Sequence, residues 1–467
     1  MEEITMTQSN GHRQKHEQEQ EQVSHHSTVD ETPLVSVRGL TKHYPITEGI
    51  IKTEVGRVRA VDGIDFDVYP GETLGIVGES GCGKSTVATT LLQLEEPTDG
   101  VINFDGDDIA SYDSDDLKRF RRRAQMIFQD PDSSFDPRMS IGESVGEPLR
   151  VQGMSDRDRR RSIVKDLLER VGLSGGDIDR YPHEFSGGQK QRIGLARALS
   201  VNPDLIVADE PVSALDVSVQ SDILALINEL QTSFGQSIIF ISHDMSVVRQ
   251  ICDRVAVMYL GEIVEIGPTD QIFTDPQHPY TRALIASIPT PDPTDRGLGG
   301  ELSGDVPSPS SPPSGCRFHT RCPEVIQPDE YSFDQSVWRG ILNLRQRLSE
   351  GRISPDTYAA EVVAENDQYT DPQQVSKDEL RRRIRKDFGL LEPIADQQAK
   401  SILEAALEHV ISGNLDGATT LLADELSTPC ERREPTLEPT DAGHPAACLR
   451  HELETESISA YTQSARE

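Results

Sequence analysis

The chain has 467 residues, 35% hydrophobic and 5% aromatic, which is ample for one large core and on length alone suggests two or three domains. It carries 79 Asp and Glu against 46 Lys and Arg, a formal net charge of −33, and only ten of the basic residues are Lys. Such a surface repels nucleic acid and anionic lipid headgroups, which excludes a general electrostatic DNA binder. Acidity spread along a lysine-poor chain also suits concentrated salt, where the Debye length shrinks to about 3 Å at 1 M.

The opening stretch, MEEITMTQSN, lacks the basic start and apolar core of a signal peptide, and no run approaches the roughly 18 apolar residues of a membrane span. The expectation is a protein made and kept in the cytoplasm, with a membrane-spanning partner for any work at a membrane. Residues 1–33, with EQEQEQ and scattered histidines, read as a disordered tail in which His25 and His26 are solvated. From Val35 to about Pro289 apolar runs alternate with polar, periodic stretches. LGIVG (74–78), LIVADE (205–210) and SIIFISHD (237–244) predict buried strands, and STVATTLLQL (85–94) and SDILALINEL (221–230) predict helices. This alternation implies a mainly parallel sheet with helices packed on it. Residues 290–315, rich in Pro, Gly, Ser and Asp, predict a linker or extended arm. Farther on, Val337, Ile341, Leu344 and Leu348 recur at helical spacing, as do Ile402, Ala406 and Val410, and SKDELRRRIRKDF (376–388) is helix-like. Residues 325–428 therefore read as a small helical insert whose apolar stripes form its own core. Residues 429–467 read as a closing cysteine segment and tail.

GESGCGKS, from Gly78 through Glu79, Ser80, Gly81, Cys82, Gly83 and Lys84 to Ser85, follows a predicted strand and opens a predicted helix. That is the context of a phosphate-binding loop. Glycines let backbone N–H groups point inward at phosphate, and the helix N-terminus adds partial positive charge. Lys84 is expected to reach the β- and γ-phosphates, Ser85 to ligate Mg²⁺, and Thr86 to support the α/β end. Cys82 needs no chemical role. LIVADE carries Asp209 and Glu210 to the C-terminal end of a strand, where ligands bind in open α/β sheets. Asp209 is expected to hold Mg²⁺ through water and Glu210 to polarise the attacking water. FSGGQKQR (185–192) places Ser186, Gly187 and Gly188 in a second phosphate-friendly turn at a helix start.

With two such turns, the sequence resembles the ATP-binding-cassette ATPases over about residues 35–270. In that family the second turn, here Ser186 to Gln189, reaches across a dimer to ATP held by the partner's phosphate loop. The resemblance maps Gln129 in MIFQDP onto the loop linking the ATP core to a helical subdomain and to Mg²⁺. It maps Asp216 in SALD onto the dimer-contact loop, His243 in ISHD onto the switch histidine, and Tyr44 in KHYP onto the aromatic that stacks on adenine, ahead of a loop at 46–57. Phe185 stands where Leu is more usual. The implied fold is α/β: a P-loop NTPase with a RecA-like parallel sheet over residues 34–289, an N-terminal antiparallel β subdomain and a helical subdomain at about 130–198. ATP hydrolysis on Glu210, His243, Gln129 and Lys84 is implied with it.

HPYTRALI (278–285), GESGCGKST and PVSALDVSVQ together look like the ATPase subunits of oligopeptide/dipeptide permeases. That branch implies an importer with a second ATPase subunit, two integral-membrane permeases and an extracytoplasmic peptide-binding protein. The ATPase would lie on the cytoplasmic face, and a groove near Gln129–Asp136 would receive a permease helix. Relatives carrying nickel or other small solutes are the alternative, as is a non-transport cassette protein with a redox- or metal-sensing tail. A cassette acting on nucleic acid is disfavoured by the acidity.

Of six cysteines, Cys252 sits among apolar neighbours and reads as core. Cys316 and Cys322 in the arm (290–324), with Cys430 and Cys448 beyond the insert, resemble the cysteine pattern of the permease ATPases, where relatives are thought to hold an iron–sulfur cluster. Four thiolates suit a 4Fe–4S cluster or tetrahedral Zn²⁺, and free thiols or a disulfide remain open. Arg317, Arg321 and Arg450 are expected to offset an anionic cluster, and His319 to lie at the surface.

Overall fold

A long antiparallel hairpin, β1 (Val35–Glu48) and β2 (Thr53–Val68), begins the fold. The loop expected at 46–57 is largely strand: Ile46 faces Gly56 and Glu48 faces Thr53, in a segment where Thr53, Val55, Val58 and Val61 favour extended backbone. The computed structural model describes residues 32–49, 52–288, 304–328, 330–365, 369–391 and 394–452. The tail expected at 1–33, with His25 and His26, lies almost wholly outside the described residues, as does much of the linker expected at 290–315.

β3 (Thr73–Val77) runs through the glycine-rich turn into α1 (Lys84–Leu91). β4 (Asp99–Phe104) and β5 (Asp107–Asp108) join the hairpin in a four-stranded sheet ordered β2-β1-β4-β5. After α2 (Ser114–Arg123) and β6 (Ala124–Ile127), the chain forms a helical subdomain of α3 (Ile141–Val151), α4 (Arg157–Arg170) and α5 (Gly187–Leu199). Each of these three starts on a capping side chain: Ser140, Asp156 and Ser186 accept backbone N–H groups of the first turn. β7 (Leu205–Asp209), α6 (Val217–Phe234), β8 (Ser237–Ser242), α7 (Met245–Ile251), β9 (Arg254–Tyr259), β10 (Glu262–Pro268), α8 (Thr269–Thr274) and α9 (Pro279–Ala286) follow.

In the main sheet β9, β3, β8, β7 and β6 are parallel neighbours in that order. Every residue of β3, β7 and β8 is buried. Burial of both faces explains why these runs are continuously apolar instead of alternating.

The insert consists of α10 (Gln335–Ser349), α11 (Pro355–Glu365), α12 (Lys377–Asp387), α13 (Gln397–Ile411) and α14 (Leu415–Glu425). Val337, Ile341 and Leu344 of α10 and Leu403, Ala406 and Val410 of α13 are buried. These stripes are more than the insert's private core. The apolar cluster runs on through Phe318 to Tyr259 and Tyr280, whose rings stand 4.7 to 5.3 Å apart. The insert leaves and returns at one place, where Thr428 Oγ1 donates to the carbonyl of Ile326 at 2.7 Å and the Cys316 N–H to that of Cys430 at 2.8 Å.

After the short α15 (Pro429–Arg432), β11 (Glu438–Pro439) and β12 (Pro445–Ala446) extend the main sheet through β10. Residues 438–446 of the closing segment therefore join the core sheet, while the tail expected beyond 452 lies outside the described residues. The segment's anchor is the buried Glu265, which accepts from His444 Nε2 at 2.8 Å and from the N–H groups of Gln277 and His278 at 2.6 and 2.9 Å. A buried carboxylate persists because its oxygens are this well satisfied.

Candidate functional site

The parallel strands end at a cleft of about 450 Å³. Ser80, Gly81, Gly83, Lys84, Ser85 and Thr86 line it from the β3–α1 turn, and Gln129, Glu210 and His243 face them from the ends of other strands. Gly83 is required here: its φ is 109°, and a Cβ would fall 1.9 Å from the carbonyl oxygen of Ala60. Lys84 is buried and its ammonium donates to the carbonyls of Gly78 at 2.8 Å and Glu79 at 3.0 Å, so it braces the loop across its mouth. Cys82 is buried beneath the loop, and that burial raises its thiol pKa.

Ser85 Oγ stands 3.2 Å from Asp209 Oδ1. Burial holds the Asp209 pKa above its ordinary value despite that hydroxyl. Glu210, one residue later, has φ 44°, unusual for a side chain of its size. The turn aims its carboxylate into the cleft, where Gln129 Nε2 donates to Oε2 at 2.8 Å and His243 Nδ1 lies 3.1 Å from Oε1. Two residues far apart in sequence thus converge on the Glu210 carboxylate.

The remaining sequence-predicted residues are not in this cleft. Ser186 caps α5 with Gln189 in a reciprocal capping box, Gly187 and Gly188 form its first turn, and Asp216 caps α6 nearby through the Val219 N–H at 3.1 Å. Val219 is the first side chain a Cβ on Gly188 would meet. Tyr44 lies on β1 with its hydroxyl bonded to Glu95 and the Lys42 ammonium 5.0 Å over its ring. Val58, Ala60 and Pro309 also line the cleft. Nothing in their residue type marks them in the sequence.

Residues 61–213 match the ABC transporter family model, and 264–328 match the oligopeptide/dipeptide transporter C-terminal region. A peptide import ATP-binding protein of Brucella ovis is 52% identical over 64% of this chain and 92% of its own length. The chain belongs to the ABC transporter ATP-binding family. The oligopeptide transport ATP-binding protein AppF of Bacillus subtilis is 48% identical over 64% of this chain and 91% of its own. The dipeptide transport ATP-binding protein DppF of Haemophilus influenzae is 47% identical over 63% and 89%. Residues 335–443, which span the five insert helices and the first part of the closing segment, match a domain of unknown function. Among the described residues of this ABC protein no helix is long and apolar enough to cross a membrane.

The cysteines occupy the junction between cassette and insert. Cys252 is core, packed beneath Gly75. Cys316, Cys322, Cys430 and Cys448 are free thiols, raised in pKa first by burial, that of Cys448 to about 11. Cys316 and Cys322 are raised further by the other thiols, so the four share one region. The close approach depends on Gly315, whose φ is 65° and whose Cβ would lie 2.4 Å from the Cys430 carbonyl oxygen. Among the described residues no three His, Cys, Asp or Glu are grouped so as to hold a metal ion.

The arginines differ from expectation. Arg317 pairs with Asp62 and with Glu262 at 2.8 Å, and Arg321 pairs with Glu79, because carboxylates of the cassette lie within their reach. Arg450 pairs with Glu324 while still lowering the thiol pKa of Cys430 and Cys448. His319 is buried, not at the surface, with Nδ1 2.8 Å from the Cys316 carbonyl oxygen. A further cation that faces the cysteine loop is Arg339 of α10, half-buried against the carbonyls of His319 and Cys322. Burial lowers its pKa to about 10. No sequence signal marked it, because Arg339 lies on the side of α10 opposite the Val337, Ile341, Leu344 and Leu348 stripe.

Proposed function

We propose that this chain is the ATP-hydrolysing subunit that energises import of oligopeptides or dipeptides through a membrane transporter. The carrying observation is Glu210, held between Gln129 and His243 at the mouth of a phosphate loop. It occurs in a chain about half identical, over 63 to 64% of its length, to proteins named for peptide import.

Phosphoryl transfer is mostly positioning and charge neutralisation. Lys84 and the N–H groups of Gly78 to Thr86 take the phosphate charge. The Ser85–Asp209 pair fits Mg²⁺, a hard cation that selects oxygen donors, with Asp209 a buried carboxylate supplied with one hydroxyl. When bound, the ion offsets charge on the phosphate oxygens. Glu210 orients and polarises the attacking water, His243 secures it, and Gln129 carries occupancy of the site to the helical subdomain. Ser186, Gly187, Gly188, Gln189 and Asp216 serve the nucleotide of a second ATPase subunit, and Tyr44 stacks on adenine. On the cytoplasmic face, the groove near Gln129–Asp136 receives a short helix from one of two integral-membrane permeases, and an extracytoplasmic binding protein delivers the peptide.

The test is a pull-down from membranes followed by peptide uptake in a deletion strain. Integral-membrane subunits should co-purify, and uptake should return with the native chain but not with Glu210→Gln. Unchanged peptide uptake in the deletion strain, or co-purification with nucleic acid, overturns the reading.

Two finer points belong to the same reading. Cys316, Cys322, Cys430 and Cys448 are proposed to bind a 4Fe–4S cluster, for which an all-thiol donor set is chemically suited once the side chains close up. Iron and sulfide in anaerobically purified protein support it. Zinc alone, or a colourless iron-free protein, retires it. The excess of acidic residues, 79 against 46, is proposed to adapt the chain to high salt. Its unfolding temperature should rise as KCl goes from about 0.1 M to about 2 M, and a flat response overturns this.

A further inference from the structure

The second residue of the phosphate loop is gripped from outside the cassette's own motifs. Arg321 holds the Glu79 carboxylate with both terminal nitrogens, at 2.6 and 3.0 Å. The Arg321 side chain is 4% exposed and that of Glu79 24%. The Glu79 N–H donates to the Tyr280 hydroxyl at 2.9 Å, and the Glu79 carbonyl accepts from Lys84. Side chain, amide and carbonyl of one loop residue are therefore all fixed, two of them by the C-terminal region. A bidentate guanidinium–carboxylate pair sets direction as well as distance.

Arg321 itself is seated on the cysteine turn, where its N–H donates to the Phe318 carbonyl at 2.9 Å and the His319 N–H to that of Cys316 at 3.0 Å. That turn is clamped from the insert. Arg339 on α10 donates to the carbonyls of His319 at 2.8 Å, Cys322 at 3.3 Å, and Thr320. Its fork is held in place by Asn343 Oδ1 at 2.7 and 3.0 Å. The route from the insert to the catalytic lysine is thus α10, Arg339, the 319–322 backbone, Arg321, Glu79, Lys84. Its non-covalent steps are hydrogen bonds between buried or half-buried groups.

We propose that Arg321 is a positioning residue for the phosphate loop and that Arg339 sets it from the insert, so that nucleotide affinity is tuned from the C-terminal domain. The loop's grip on phosphate is made in ground and transition states alike, so its loss should appear in binding and KM, not in kcat.

The experiment uses the full chain, titrated with trinitrophenyl-ATP and Mg²⁺, with steady-state hydrolysis alongside. Arg321→Ala should weaken binding and raise KM about tenfold with kcat changed less than about twofold, and Arg321→Lys should restore part of the loss. Glu79→Gln, at a partly exposed position, should match Arg321→Ala and carries the test if Arg321→Ala does not fold. Arg339→Gln should cost about threefold alone and nothing further in the Arg321→Ala background. Unchanged affinity in Arg321→Ala and Glu79→Gln, with only a lower unfolding temperature, would make Arg321 a simple brace and overturn the proposal. Full additivity of Arg321→Ala and Arg339→Gln would overturn the link to the insert. Lys84→Ala tests the nucleotide reading separately, since it should abolish binding whether or not the C-terminal route exists.

Discussion

The nucleotide cleft takes its charged groups from strand ends and a helix start, each fixed by backbone geometry within a few residues of itself. Glu210 is aimed by its own φ, and Lys84 is braced by carbonyls of its own loop. The cysteine junction is assembled differently. Its thiols come from two stretches on either side of a five-helix insert, and they meet because Thr428 and Ile326, Cys316 and Cys430, tie the two ends together. The first kind of site is aimed by local construction, with Arg321 and Tyr280 holding Glu79 of its loop from farther along the chain. The second is only as well placed as the domain that closes it, which makes it a natural point of control.

The largest effect expected to sharpen this contrast is local. Glu210→Gln should lower kcat by about a hundredfold or more while MgATP still binds, as read by phosphate release beside a binding titration. Retained turnover would break the assignment of the cleft.

The second prediction acts at the joint. His278 caps α9 through its Nδ1, which accepts from the Tyr280 N–H at 3.1 Å, and its ring packs 5.7 Å from that of Phe318. Burial lowers its pKa from the ordinary 6.5 to about 4. The folded state therefore binds fewer protons than the unfolded chain between those values. Stability is full above the higher value and falls as pH drops toward the lower, by about 3 kcal/mol. Urea unfolding across that range measures it, and His278→Asn, which keeps an acceptor for the cap, should flatten the slope. An unaltered slope would place the acid sensitivity elsewhere.

The smallest effect concerns the surface of the insert. Arg383 pairs with Glu361 and Glu365 on the exposed face of α12. Arg383→Gln should change unfolding free energy by less than about 1 kcal/mol, because solvent and entropy cancel most of an exposed pair. A larger loss on thermal unfolding would mean that the insert depends on its surface pairs as well as on its core.

Much of the cleft was legible because its chemistry is contiguous. GESGCGKS, LIVADE and ISHD each carry a strand end together with the group presented there, and all three arrive at one cavity. Buried strands read correctly because continuous apolar runs have few other homes. The hairpin at 46–57 was missed because its charged and polar residues hide β-branched ones that pair along a partly exposed ribbon. The fates of Arg317 and Arg321 were missed for another reason. An arginine beside a cysteine suggests a local partner, but Asp62 and Glu79 lie more than 200 positions away and nothing local signals them. Arg339 stands on the side of α10 away from its apolar stripe, and only the fold shows that this side meets the cysteine turn.

The short closing strands have a consequence for the molecule's margins. Among the described residues β11 is the edge strand of the main sheet, two residues long, and its Pro439 faces Pro445 of β12. Neither proline has an N–H to offer, and Glu438 puts charge beside them. A passing extended chain finds almost no row of donors to align with. The same hairpin covers β10, whose Ile263 and Ile266 are buried and whose edge would otherwise be a longer and greasier template. This hairpin thus acts as a selvedge: it stops the sheet from unravelling and keeps neighbouring copies from being stitched on by their edges.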